Sequence, residues 1–204
     1  ITLNPFLIRG VDPAWRWVRA HRGLSSLLER APGRLAELPG SVDPVQLHDH
    51  VVLVGYGRVG APVADELALH GIPHVIIEQS RERAEELRKR GLPVLYGDAT
   101  RPEVLGPARL DRAKMVLVSA PDAFEARAIL ALVRRLNPDV EVLVRTHSDE
   151  EREFLEQHGA ARALVGEREL AVSLTRAALR RFGVPHDMEQ IAQRALRFRP
   201  AASR

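Results

Sequence analysis

The chain contains no cysteine. Disulfides, thiolate nucleophiles and cysteine metal sites are excluded together, and the composition suits a reducing compartment. Aromatic residues are scarce, at 4%, too few for the stacking platforms that hold single-stranded nucleic acid. No run of about 20 apolar residues is present to cross a bilayer as a helix. Neither sign of charge dominates: 30 Lys and Arg stand against 27 Asp and Glu, for a net charge of +3. The bases are interspersed with acids, which reads as solvated helix faces, so no nucleic-acid partner is expected. No Tyr-Lys or His-Asp pair suited to a nicotinamide-dependent reductase is apparent.

What remains is a 204-residue chain, 45% hydrophobic, long enough for one α/β domain with extra segments and a real core. Residues 1–48 differ from the rest. Pro5, Pro13, Pro32, Pro39 and Pro44 punctuate them around one amphipathic stretch, Ala14 to Glu29. They read as a linker with one or two helical pieces. The opening "ITLNPFLI" is apolar and is followed by Arg9, Arg16, Arg19 and Arg22. That order is what a membrane helix leaves on its cytoplasmic side. A frayed terminus is the other reading. A signal peptide is not, because the charge follows the apolar part.

From His50 strands and helices alternate. Runs of strand length are Val51–Val54, His74–Ile77, Val94–Tyr96, Met115–Val118, Val140–Val144 and Ala163–Val165. Helical segments lie between them at Val59–His70, Arg81–Arg90, Asp122–Leu136 and Asp149–His158, with a short turn of helix near Pro102–Leu105. The strands are continuously apolar, which predicts helices on both faces and a doubly wound, six-stranded parallel sheet of Rossmann type. Beyond Val165 the segment Glu167–Phe182 carries apolar residues around much of its circumference. Such a helix needs burial on more than one side, by a second subunit or within the chain. His186–Phe198 reads as a further, Arg-rich helix.

The stretch "VVLVGYGRVG" runs a strand into Gly55, Gly57 and Gly60. Gly55 allows a tight turn, Gly57 lets a pyrophosphate approach the backbone, and Gly60 permits close strand–helix packing. The second strand ends at Glu78, 23 residues after Gly55. That is the range for a carboxylate that bonds ribose hydroxyls, and its charge disfavours a 2′-phosphate. Packing alone is the competing explanation for the glycines. In "YGDAT", Asp98 either faces an adenine amine or, with Thr100, caps the short helix that follows. Ser119 ends the fourth strand in "SAP". Arg145 ends the fifth in "VRTH", as a phosphate-side cation or as a partner of Glu167 or Glu169. His147 reads as a surface or capping residue.

Taken in order, "VVLVGYGRVG", "VIIEQS", "VLYGDAT", "MVLVSAPD" and "VEVLVRTHSDEE" resemble the RCK (KTN, or TrkA-N) regulatory domain of potassium channels and cation transporters. The resemblance covers about Asp49 to Gly183. "TLNPFLI" and "RLAELPGSVD" are similar to the junction after the last membrane helix in Kef-type monovalent cation:proton antiporters of the YbaL-like branch. The resemblance implies a dimerising Rossmann domain that binds AMP or NAD(H) as a regulatory ligand and has no catalytic role. It implies contacts from Gly55, Tyr56, Gly57, Arg58, Val59, Gly60, Glu78, Gln79, Asp98, Ala99, Ser119 and Arg145. It further implies three parts: 1–48 as membrane-helix end and linker, 49–166 as nucleotide-binding domain, and 167–204 as dimerisation and C-terminal helices. The expected partners are a second copy, the transmembrane antiporter part of the same parent chain and an adenine nucleotide, at the cytoplasmic face of a bacterial inner membrane. The glutathione-site signature of related systems finds no match in "VRTHSDEE". A free-standing potassium-uptake regulator subunit and an NAD-dependent oxidoreductase are the alternatives.

Overall fold

The computed structural model describes residues 37–39, 47–119, 122–184, 187, 190, 191 and 194. The expectations for residues 1–36, for Ala120 and Pro121 of the "SAP" turn, and for most of the segment after Val184 lie outside the described residues. None of the described helices is long and apolar enough to cross a membrane.

Six strands are present: β1 His50–Val54, β2 His74–Glu78, β3 Val94–Tyr96, β4 Ala113–Val118, β5 Glu141–Thr146 and β6 Arg162–Val165. All pair in parallel, in the order β3-β2-β1-β4-β5-β6. The helices are α1 Gly60–Leu69, α2 Arg81–Lys89, α3 Pro102–Leu105, α4 Ala123–Leu136, α5 Asp149–Gln157 and α6 Gly166–Arg181. The order reverses between β1 and β4, which opens a crevice at the carboxyl ends of those strands.

Residue parity along the strands decides which helices cover which face. Leu53, Ile76 and Val94 pack with Ala64 of α1 and with Ala84 and Leu87 of α2. Val52, Val54, Val75, Ile77, Val116, Val142 and Val144 face the other way, onto Ile129, Leu130 and Val133 of α4 and Leu155 of α5. Leu47 joins this second cluster, and Leu38 packs at its edge. The sheet is therefore doubly wound, as expected. Burial of both faces by helices holds for β1 and β2, where every residue is buried. It fails for the other half. Along β5, β6 and β4 from Met115 on, only alternate residues are buried, and Met115, Leu117, Leu143 and Leu164 are half-buried. The register aligns Leu117 with Leu53 and with Leu143, so these side chains continue the α1/α2 face: Leu117 packs at the edge of the α1/α2 cluster, and Leu143 and Leu164 lie beyond it.

α6 does not cover that strip. It follows β6 directly, yet none of its residues is buried. Leu170 and Leu174 are 59% and 63% exposed. Its apolar circumference is thus not sandwiched among the described parts of one chain. A hollow of about 950 Å³ lies between α5 and α6, lined in part by His147, Val165, Ala171, Thr175 and Leu179. Ile191, which is buried, and Arg194 also line it, and it is removed from the glycine turn.

Candidate functional site

A smaller cavity, about 270 Å³, sits at the crevice between β1 and β4. Its floor is Val54, Ile77 and Ile129, and its walls come from four loops. Of the residues singled out from the sequence, Gly55, Tyr56, Gly57, Glu78, Gln79, Asp98, Ala99 and Ser119 line it. Arg58 lines a second hollow that adjoins it. Val59 is the N-cap of α1 and is 40% exposed.

The three glycines of the turn have separate causes. Gly55 has φ +91°, a left-handed conformation that other residues adopt only with strain. A Cβ on Gly60 would lie 2.0 Å from the Gly55 carbonyl oxygen, so no side chain fits between strand and helix there. At Gly57 a Cβ would meet nothing within 4 Å. Packing explains Gly60 and does not explain Gly57, where the chain leaves open space in front of its own backbone.

That space faces the start of α1. Of the longer helices on the sheet, α2, α4 and α5 are capped by Ser80, Asp122 and Ser148. α1 has neither a side-chain cap nor an acid in its first turn. The Ala61 N–H donates to the Gly57 carbonyl at 2.9 Å and Pro62 has no N–H, so what the start of α1 lacks is a side-chain cap and a negative charge at its positive dipole end.

Glu78 is the last residue of β2 and is 4% exposed. Its carboxylate accepts from the Tyr56 N–H at 3.0 Å, the Ser80 N–H at 2.8 Å and Arg83 Nη1 at 3.3 Å. The acid thereby clamps the glycine turn to β2. Across the cleft, Asp98 Oδ1 accepts from the Thr100 N–H at 2.9 Å and from Thr100 Oγ1 at 2.6 Å. The Thr100 hydroxyl, the backbone N–H and Arg101 outweigh burial and hold the Asp98 carboxyl below its ordinary range. The cap of α3 is Arg101, with no side-chain bond, so Asp98 closes the turn before that helix instead of capping it. Ser119 Oγ lies 3.0 Å from the Val54 carbonyl and 2.9 Å from that of Gly55, joining β4 to the glycine turn.

Two charged cleft residues were not singled out from the sequence. Arg83 reaches Glu78 from the first turn of α2. Glu125 enters from the first turn of α4. Burial, then the charges of Asp122 and Asp98, push its carboxyl pKa up. The D-x-x-E spacing of Asp122 and Glu125 is a helix-start signal that places Glu125 at the strand end. The position of Arg83, five residues after Glu78, carries no comparable signal.

Arg145 is not brought to this cleft. It lies on β5, two strands from β1, and its Nε is 3.7 Å from where a Gly166 Cβ would stand. No ion pair joins it to Glu167 or Glu169 among the described residues. The partner of Glu167 is His147, at 3.3 Å. The Glu167 carboxyl is held low first by a backbone hydrogen bond, then by His147, with a smaller part from the Arg145 charge. No group of three or more metal-ligating side chains occurs among the described residues.

The fold agrees with comparisons to known proteins. YbaL of Escherichia coli (strain K12), which carries the name of a cation/proton antiporter, is 41% identical over 128 residues. The match covers 63% of this chain and 23% of that protein. The chain thus spans about a quarter of the length of such relatives. The crystal structure of the TrkA-N domain of the same inner membrane protein is 39% identical, with TM-score 0.62, over 65% of this chain and 98% of that one. The fold is also that of the Shewanella denitrificans Kef CTD in its AMP-bound form, at 24% identity and TM-score 0.58, over 72% of this chain and 87% of that one. Residues 51–166 match the TrkA-N domain model, which is more than half of the chain, and the chain belongs to the TrkA-N family.

Proposed function

We propose that this chain is the nucleotide-sensing regulatory part of a monovalent cation:proton antiporter. One observation carries the reading. The uncapped start of α1, the open space at Gly57 and the buried strand-end carboxylate of Glu78 meet at one cleft. A phosphate needs the first two and a ribose the third. AMP or NAD(H) fits this set. The phosphate lies over Gly55–Gly60, the ribose hydroxyls bond the remaining lone pairs of Glu78, and the adenine lies beside Asp98 and Ala99 with Gln79 and Ser119 at the rim. The cavity of about 270 Å³ is near the lower end for small-molecule sites, roughly 300 Å³ and upward. It suits the adenosine half of a dinucleotide, with the remainder outside. Arg145 is assigned no contact in the cleft of a single chain.

The ligand acts by shifting a population and not by reacting. It favours one arrangement of a homodimer in which α6 and the uncovered strip of Met115, Leu117, Leu143 and Leu164 are covered by the second copy. Differential affinity for the two arrangements is the necessary condition. In this division, residues 1–48 link to the last membrane helix at the cytoplasmic face of the inner membrane, 49–166 bind nucleotide, and 167–204 couple the copies. YbaL's name as a cation/proton antiporter, and the AMP in the Kef CTD structure, agree with this reading.

The test is titration calorimetry of the chain with AMP, NAD⁺ and NADH, beside an assay for NADH oxidation. Saturable binding without NADH turnover is expected. Absence of binding by all three, or steady turnover with a small carbonyl substrate, would overturn the proposal. In the parent transporter, removal of residues 49–204 is expected to leave transport in inverted vesicles but abolish its response to nucleotide.

A further inference from the structure

The charge of Glu78 argues, from sequence, against a phosphate on the adenosine ribose. The structure surrounds that charge differently. Both carboxylate oxygens already accept fixed donors, two backbone N–H groups and Arg83. Beside the cleft, and sharing Tyr56, Gly57 and Arg83 with it, lies a hollow of about 560 Å³ rimmed by Arg58, Arg83, Glu86 and Arg90. The three arginines come from separate places: the glycine turn, the first turn of α2 and the C-cap of α2. Neither Arg58 nor Arg90 makes a side-chain hydrogen bond or ion pair with a described residue. Counting Glu78 and Glu86 against three guanidinium groups leaves the hollow with one positive charge in excess.

A ribose held at Glu78 would present its 2′-oxygen between the cleft and this hollow. Guanidinium groups are the side chains whose donor forks match phosphate oxygens, and two of the three lack a partner. We propose that the Arg58–Arg83–Arg90 hollow is a dianion subsite that takes a 2′-phosphate on the adenosine ribose, so that the chain accepts 2′-phosphorylated dinucleotides instead of excluding them. Arg83 has two roles here: it balances Glu78 and gives the phosphate a donor. Arg58 and Arg90 supply the remaining charge. The proposal rests on the cleft being an adenine-nucleotide site.

Calorimetry with NAD⁺ and NADP⁺, at low and at raised salt, tests it. At low salt NADP⁺ is expected to bind at least as tightly as NAD⁺, and to lose more affinity than NAD⁺ as salt is raised. Arg90→Ala is expected to weaken NADP⁺ about tenfold, the worth of a hydrogen bond to a charged group, and so to raise the ratio of the NADP⁺ to the NAD⁺ dissociation constant. Arg58→Ala should move the ratio the same way. Two results would overturn the subsite while leaving the cleft assignment intact. One is NADP⁺ binding tenfold or more weakly than NAD⁺ to the unaltered chain. The other is Arg90→Ala and Arg58→Ala weakening both nucleotides equally, as arginines serving only the pyrophosphate would. Failure of NAD⁺, NADP⁺ and AMP alike to bind would overturn the cleft assignment and the subsite with it.

Discussion

In β1 and β2 every residue from His50 to Val54 and from His74 to Glu78 is buried, whereas β5, β6 and β4 from Met115 on bury only alternate residues. The first half of the sheet completes its apolar core inside one chain. What it leaves open at the cleft is polar: the uncapped start of α1, the space at Gly57, and the guanidinium groups of Arg58 and Arg90, while Leu69 and Ile72 stay exposed away from it. The second half caps or ion-pairs its charged groups, although Asp149 Oδ1 and Arg152 Nε make no hydrogen bond. Ser148 caps α5, Arg127 pairs with Glu151 and stacks over Phe154, and Asp149 pairs with Arg152 and Arg168. What it leaves open is apolar, the strip from Met115 to Leu164 and the exposed leucines of α6. An uncapped helix start and cations without partners favour an anionic ligand, and uncovered apolar surface calls for another packed surface. On the proposed reading, sensing and assembly would fall to different halves, joined at the β1–β4 contact where Ser119 bonds the glycine turn.

The comparison can be broken at either half. Leu174→Asp has the largest expected effect. If α6 is covered by a second copy, the carboxylate is buried without a partner, at about 3–5 kcal/mol. The dimer dissociation constant then rises on the order of a hundredfold or more, seen as monomer in sedimentation with AMP affinity retained. An unchanged dimer would remove α6 from the interface. Next is Gly57→Val. No protein atom lies within 4 Å of the added Cβ, so the melting temperature should hold while AMP and NAD⁺ affinity falls about a hundredfold, as expected where a side chain occupies a phosphate path. A variant that binds normally would return Gly57 to a structural role.

Gly60→Ala should do the reverse. Its Cβ clashes with backbone, which costs about 1–3 kcal/mol of stability, and any binding loss should follow the unfolding. Denaturant melts separate the two glycines. The smallest effect concerns His50, which is fully buried in β1, with Nε2 2.8 Å from the Ala108 carbonyl and Nδ1 without a partner. Burial pushes its pKa below 6.5, against smaller opposing effects of Ala108 and Asp111 and alongside His48 and Arg109. Below about pH 6.5 the unfolded chain binds the proton first. Stability contributed by neutral His50 is thus full above that pH and lost as pH falls toward the folded-state pKa. The slope cannot exceed about 1.4 kcal/mol per pH unit for one group. Melts of His50→Gln across this range should show a flatter profile, and an unchanged one would exclude His50 as its source.

The strand–helix alternation, the parallel sheet and the glycine turn were legible in the chain because each rests on local pattern: apolar runs of strand length, helical spacing, and Gly55, Gly57 and Gly60 between them. Most cleft residues were legible for the same reason, since residues at strand ends converge at a topological switch point wherever a parallel sheet forms. Arg83 was not, because only the docking of α2 against β2 turns it toward Glu78. Arg145 sits on the fifth strand as expected, but strand order sets it against the start of α6 and away from the cleft of one chain. One-sided burial of β4 to β6 was equally hidden. Met115, Leu117, Leu143 and Leu164 are as apolar as Leu53 and Ile76, and composition does not tell which apolar residues a helix of the same chain will reach. Local sequence determined the elements and the chemistry of the turn, and only the tertiary structure decided which surfaces were finished within the chain, because covering a surface depends on the distance and angle between elements far apart in sequence.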